Sequence, residues 1–475
     1  MSPPASPSLP ATGGAPSLRV TGARLVWTGG REVEGGEVIC RDGVVAAAEG
    51  PARTEEVLDA SGCVVTPGLV NAHHHLLQCA FRTLPAARHV AMRDWLATMA
   101  GAYAAAGVDD ELVGAAASVG LAEALLCGVT TLADHHLTWP PGADDVSFAR
   151  AAVGAAGALG ARLVVVRGSA GGDPERAATS AEAIAAALGV GWDGLSGDGM
   201  VQLAVGPAGV HSDGPETFAL LGEVAGRLGL RRRTQANEQV DVEVAAARYG
   251  RRPLELLAEW GWLAPDVTVA HLCQITAEEV SLLATSGASA THAPGCDLPS
   301  GWGLAPVGAL LDHGVAVGLG TSGGGSNDAG HLLADARLAM QVAPLARPAG
   351  ATVTARIALS MATAGSARGL GRGELGTLEP GAAADLCCWD VSGAADAGVA
   401  DPLAGLLWAS PGRRPRHVVV AGRVVVRDGR LAGADEAELA RRLDAMLAQR
   451  AARPPSSAAP ARDAAAGASS ATQGR

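Results

Sequence analysis

The sequence predicts an α/β protein: a (β/α)8 barrel of the TIM type with a small β-sandwich domain built from both chain ends. Three observations predict it. Eight short apolar runs follow one another, each leading into an Ala-rich stretch of helical character. Strands that alternate with helices form a parallel sheet, and eight such units within about 270 residues fit one barrel. The two flanks are different, with short strands joined by Gly/Asp turns.

Each element follows in order. Residues 1–16 are rich in Ala, Ser and Pro and read as a disordered tail. They lack the basic and apolar regions of a signal peptide. Residues 17–66, with LRVTGARLVWTGG and EVICRDGVV, form the first half of the sandwich. The barrel spans 67–367 through VVTPGLVNA, GVTTLADHH, RLVVVRG, VQLAVGPAG, LGLRRRTQAN, VTVAHLC, ASATHAPG and VAVGLGTSG. Residues 368–434, with GAAADLCCWDV and HVVVAGRVVVRDGRL, form the second half. A closing helix covers 435–451, with Asp435 as N-cap and Glu438 completing a capping box. Residues 452–475 form a second disordered tail.

Composition narrows the function classes. A net charge of -12 disfavours nucleic acid and anionic membrane as partners. No apolar run approaches 18 residues without a charge or a Gly/Pro break, so no membrane span is expected. The eight cysteines include no C-x-x-C pair and sit mostly in apolar runs. That is the pattern of reduced, buried thiols in a cytoplasmic protein.

In a parallel barrel the chemistry sits where strands pass into loops. Those ends carry His73, His74 and His75, then Asp134, His135 and His136, then Arg167, His211, Glu238, His271, His292 and Thr321-Ser322. A lone histidine is more often structural. Eight of the twelve converging on one rim point to a site. His73 and His75 are two apart on a strand and share one side, whereas His74 points to the helix layer. Such a pair can place two imidazole nitrogens on one metal ion.

VTPGLVNAHHHLLQ, GVTTLADHH, VAHLCQITAEE, HAPGCDLPSGWGLAPV, GVAVGLGTSGGGSNDAG and GTLEPGAAADL together resemble the amidohydrolase superfamily. The likeness is strongest to the branch of 8-oxoguanine deaminase and the triazine and pterin aminohydrolases, and it runs over about residues 17–435. The resemblance implies a metal-dependent hydrolase of carbon–nitrogen bonds other than peptide bonds. Its expected substrate is an amino-substituted heterocycle (8-oxoguanine-, pterin- or triazine-like), and its expected assembly a homo-oligomer. It implies one divalent metal, zinc or else iron, held by an H-x-H pair, a strand-five His and a strand-eight Asp. Carried over by position, His73 and His75 are metal ligands, while Glu238 shuttles a proton and His271 orients the attacking hydroxide. Gln78, Arg82 and His292 face the substrate, and Asp328 matches a further family position. The chain has no lysine, so a two-metal site bridged by a carboxylated Lys is excluded.

Two positions depart from the family pattern. Gln235 stands where the strand-five His is expected, within Arg233-Thr234-Gln235, and Ser322 stands where the strand-eight Asp is expected. An amide is a weaker zinc ligand than imidazole, and a hydroxyl does not accept a proton as a carboxylate does. The alternative reading is therefore a catalytically impaired relative, a binding protein or a partner to an active paralogue. His211, with Asp297 or Cys296, could replace the missing ligands. Arg231, Arg232 and Arg233 in a barrel strand are costly unless each finds a partner. The glycines 323–325 read as a loop more simply than as an anion cradle, and Trp302, Trp139 and Phe81 are the stacking candidates.

Overall fold

The computed structural model describes residues 17–47 and 56–452. The tails expected at 1–16 and 452–475 lie outside these residues, apart from Ala452. Nine parallel strands form the central sheet: β1 (Leu69–His75), β2 (Val129–His136), β3 (Arg162–Ser169), β4 (Val201–Pro207), β5 (Arg231–Ala236), β6 (Val267–His271), β7 (Ser289–His292), β8 (Val317–Leu319) and β9 (Ser322–Gly323). Strands β1 to β8 pair in chain order, and β9 pairs with β1. Only Gly320 and Thr321 separate β8 from β9, so the sheet closes on itself as a TIM-type barrel.

The run VAVGLGTSG is thus two strands, not the one expected. Asn71 explains the break: its amide donates to Thr321 Oγ1 at 2.7 Å, and the Thr321 N–H donates back to Asn71 Oδ1 at 3.2 Å. This side-chain pair replaces ladder bonds at the closure. A Cβ at Gly320 would come within 2.7 Å of the His73 backbone oxygen, so only glycine lets the chain pass there. VVTPGLVNA also divides. Cys63–Pro67 belongs to the sandwich and Leu69–His75 to the barrel. At the break, a Cβ on Gly68 would lie 2.2 Å from Thr130 Oγ1.

One sandwich sheet holds Val44–Val45, Val38–Arg41, Leu18–Thr21 and Glu56–Asp59. The other interleaves both ends of the chain, with Leu386–Asp390 antiparallel to Cys63–Pro67. A buried cluster including Leu18, Val26, Val65 and Leu386 fills the space between them. Around the barrel, Asp109, Asp144 and Asp173 cap the helices Asp110–Leu126, Asp145–Leu159 and Pro174–Leu188, accepting otherwise orphan N–H groups. Asp435 likewise caps Glu436–Ala451, but Glu438 pairs with Arg441 at 2.6 Å instead of completing the expected capping box. Among the described residues, no helix is long and apolar enough to cross a membrane.

The arginine run in β5 is mostly accommodated. Arg231 donates to the Gly369 carbonyl at 3.1 Å. Arg232 turns outward, forms a two-pronged bond to Asp266 at 2.6 and 2.8 Å and covers the Trp262 ring. Arg233 is the exception and remains inside the barrel.

Candidate active site

Val70 packs in the barrel interior with Val164, Val166 and Ala204. Strict alternation would then turn His73 outward. The register against β2 shifts between Asn71 and His74, and this irregularity re-aims the strand end inward. His73 therefore meets the His75, His271 and His135 rings edge-on, with centroids 4.8, 5.1 and 5.9 Å away. All four rings are buried. Desolvation and crowding by like groups keep three of them neutral: His73 lies well below its ordinary 6.5, His75 is lowered to about 4 and His135 to about 3.

Neighbouring carbonyls settle two tautomers. His75 Nδ1 lies 2.7 Å from the His135 carbonyl, which can only accept, so Nε2 carries the lone pair. His135 Nε2 donates to Gly206 O at 2.9 Å, leaving Nδ1 as a bare acceptor. His73 Nε2 and His135 Nδ1 are buried with no partner among the described residues. His74 faces away, its ring nitrogens 2.9 Å from Thr321 Oγ1 and 3.7 Å from Cys79 Sγ.

Across the layer, Glu238 immediately precedes the helix Gln239–Tyr249 without capping it, and its carboxylate lies 3.9 Å from His271 Nε2. Burial raises the Glu238 carboxyl above its usual range, partly offset by His271 and His211. His271 Nδ1 bonds Asp297 Oδ1 at 2.8 Å. Burial alone would lower its pKa, but the charges of Glu238 and Asp297 outweigh burial and raise it to about 9. Among the described residues, donor atoms of His271, Cys273 and Asp297 come within 4.8 Å of one another. Asp297 is already spent on His271, so this group reads as support for that ring. His211 is held by Asp241, which also accepts the His211 backbone N–H at 3.1 Å. Burial lowers the His211 pKa, and the Asp241 hydrogen bond and charge reverse this to a net rise.

His75, Gln78, His211, Gln235, Glu238, His271, Trp302 and Ser322, among others, line a cavity of about 540 Å³, and His73 is outside that lining. On donor chemistry the floor fits a divalent ion. His73 offers an unpartnered buried nitrogen and His75 a pre-oriented one. Gln235 and Ser322 add neutral oxygens at the other two positions. No carboxylate occupies those four positions.

The remaining sequence-derived positions divide. Gln78 Oε1 accepts the Gly325 N–H at 3.2 Å on the cavity wall. Arg82 is instead held by Glu123 at 2.5 Å and the Asp328 carbonyl at 2.8 Å, away from the cavity lining. His292 is buried with both ring nitrogens unpartnered among the described residues, also outside the lining. Asp328 accepts the Thr83 N–H at 2.6 Å and pairs with Arg88. Cys296 and Asp297 lie on the short helix Pro294–Asp297, where Asp297 holds His271, whereas His211 is held by Asp241. Trp302 lines the cavity, Trp139 stacks on Phe148 beneath Arg167, and Phe81 packs on Tyr103. Gly323 ends β9 and Gly324 and Gly325 follow it as a close-packed loop, since a Cβ at any of the three would meet Gln78 or Met99.

The sequence reading missed the outer wall. Met92, Trp95, Leu96, Met99 and Tyr103, on the helix Met92–Ala106, line the cavity. Trp95 Nε1 donates to Gly325 O at 3.1 Å, and its ring meets Trp302 edge-on at 5.4 Å. Their helical spacing was the only signal, and that spacing equally describes a face packed on a core. Asp241, which holds His211, had no sequence signal at all.

The pattern that defines the amidohydrolase family matches residues 64–425. The 8-oxoguanine deaminase of Pseudomonas aeruginosa is 35% identical over 423 residues, 86% of this chain and 92% of that protein. An isoxanthopterin deaminase from an unknown prokaryotic organism is 31% identical, over 89% of this chain and 95% of its own. The zinc complex of atrazine chlorohydrolase from Arthrobacter aurescens TC1 superposes with a TM-score of 0.85 at 32% identity, covering 90% of this chain and 100% of that one. Barrel, split sandwich and histidine layer accord with these likenesses, and the chain belongs to the amidohydrolase family.

Proposed function

We propose that this protein is a metal-assisted hydrolase that removes an exocyclic amine from a heterocycle of the 8-oxopurine, pterin or triazine kind. The observation that carries the reading is Glu238, a buried carboxyl set between His271 and His211 on the cavity that His75 also lines. The names of the relatives support it, since they include deaminases of 8-oxoguanine and isoxanthopterin. His73 and His75 would hold the ion, zinc in the first instance and iron otherwise, with Gln235 and Ser322 beside them. A divalent ion held there supplies Lewis acidity, lowering the pKa of a coordinated water toward about 7.

The chain's own groups do the rest. Glu238, with its raised pKa, takes one proton from the attacking water and delivers it to a ring nitrogen; it then carries the second proton, from the added hydroxyl, to the departing amine, which leaves as ammonia. His271, held in place by Asp297, keeps a proton on Nε2 and directs it at the attacking oxygen. His211, oriented by Asp241, donates to a ring oxygen or nitrogen on the opposite side. Trp95, Trp302 and Met99 present flat apolar surface to the ring and exclude water. A cytoplasmic homo-oligomer is the setting this reading carries with it.

The test is ammonia release from 8-oxoguanine, isoxanthopterin and aminotriazines, with metal content measured on the same sample. Turnover is expected, and Glu238→Gln should lower kcat by about a hundredfold or more while ring binding is kept. Gln235 and Ser322 favour a second reading, an impaired relative that binds the ring without converting it. Ring binding by calorimetry with no ammonia at any metal loading would select that reading over the first.

A further inference from the structure

Arg233 is 2% exposed and sits inside the barrel. It alternates along β5 with Arg231 below and Gln235 above, and Gln235 lines the cavity, so Arg233 lies one layer beneath the site. Its guanidinium reaches across to β1, where Nη2 donates to the carbonyl of Ala72, the residue before His73. Nε and Nη1 have no acceptor among the described residues. No carboxylate forms an ion pair with it among those residues, although Arg162, Arg167, Arg372, Arg413 and Arg450 each have one. Its charge acts on both His73 and His135. Each of those rings carries a buried nitrogen without a partner among the described residues, His73 Nε2 and His135 Nδ1. Unmatched donors and unmatched lone pairs thus lie in adjoining layers of the barrel interior.

We propose that Arg233 is a fixed cation built under the metal position, which makes the His73/His75 site a weak and exchangeable one for divalent ions. The guanidinium opposes a second positive charge at short range in a low-dielectric core. The neutral Gln235 and Ser322 provide no charge to offset it. A guanidinium that merely filled a packing layer would leave metal affinity unchanged when replaced by a side chain of similar length. The inference rests on the metal reading of His73 and His75, and the experiment separates the two.

The measurement is zinc affinity of the full chain by competition with a chromophoric chelator, for the wild type, Arg233→Met, Arg233→Lys and His73→Ala. Arg233→Met removes the charge and should bind zinc about tenfold or more tightly than the wild type. Arg233→Lys keeps the charge and should stay near the wild type. If Arg233→Met does not fold, Arg233→Gln makes the same comparison with a smaller polar side chain. Equal affinity with and without the charge overturns the role of Arg233 alone. Zinc binding that His73→Ala leaves untouched overturns the metal site and this proposal with it. Cobalt(II) absorption of the loaded variants gives a readout independent of turnover.

Discussion

Single residues here are defined by what surrounds them. Asp335 is a clear case. It is buried on the helix Leu332–Val342, accepting the Gly295 N–H at 2.8 Å and the Asn327 amide at 3.1 Å. Burial outweighs these bonds and raises its carboxyl to about 7. The folded state therefore holds a proton that the unfolded chain releases near pH 4. This linkage contributes fully below that pH and is lost as pH rises through about 7. Asp335→Asn, neutral at every pH, should stabilise the protein by about 4 kcal/mol at pH 8 relative to its effect at pH 4. Thermal melts at the two pH values check it, and an equal shift at both would refute the linkage. Residue identity alone was legible at positions such as Gln235 and Ser322, because a single letter decides whether a side chain is imidazole, amide, carboxylate or hydroxyl. The raised Asp335 and His271 were not legible, since a pKa belongs to a residue's surroundings.

Elements follow local rules where the chain is regular and depart from them where strands change partners. The closing helix was legible from Asp435 and its periodic apolar positions. Asp435 Oδ1 accepts the Ala437 and Glu438 N–H groups at 2.9 and 3.3 Å. Asp435→Ala should cost about 1 kcal/mol by chemical denaturation; no loss would mean that water satisfies those donors equally well. The divided runs at Gly68 and Gly320 show the limit of period-2 reading. Each run is continuous in hydrophobicity, but the backbone must leave one sheet or pass close beside His73, and only the partner strands determine where. The shift between Asn71 and His74 is of the same kind, and it turns the H-x-H pair inward.

At the scale of the molecule, the two domains share a buried ion pair. Arg162 of β3 meets Asp385 at 2.8 and 3.0 Å, and Asp385 also accepts the Ala421 N–H at 2.8 Å. Both side chains are 2% exposed. Arg162→Ala leaves a buried carboxylate without its partner and should destabilise by about 3–5 kcal/mol. Asp385→Asn in the same background should recover part of that loss, because it removes the stranded charge. If Arg162→Ala unfolds at the wild-type denaturant midpoint, the pair is not what fastens barrel to sandwich.

The sequence by itself determined the architecture and the position of the rim. Alternating apolar runs and helices are local patterns, and eight of them in order leave few ways to bury the strands. It also placed His73 and His75 on one side of a strand and put a hydroxyl at Ser322 and an amide at Gln235. Only the tertiary structure decided which side chains share the cavity. It brought the helix Met92–Ala106 over the rim, set Asp241 behind His211, tied Arg82 to Glu123 outside the lining, and stranded Arg233 beneath the histidines. The physical reason is that burial, hydrogen-bond satisfaction and charge are sums over neighbours in space, and those neighbours lie tens to hundreds of residues apart along the chain.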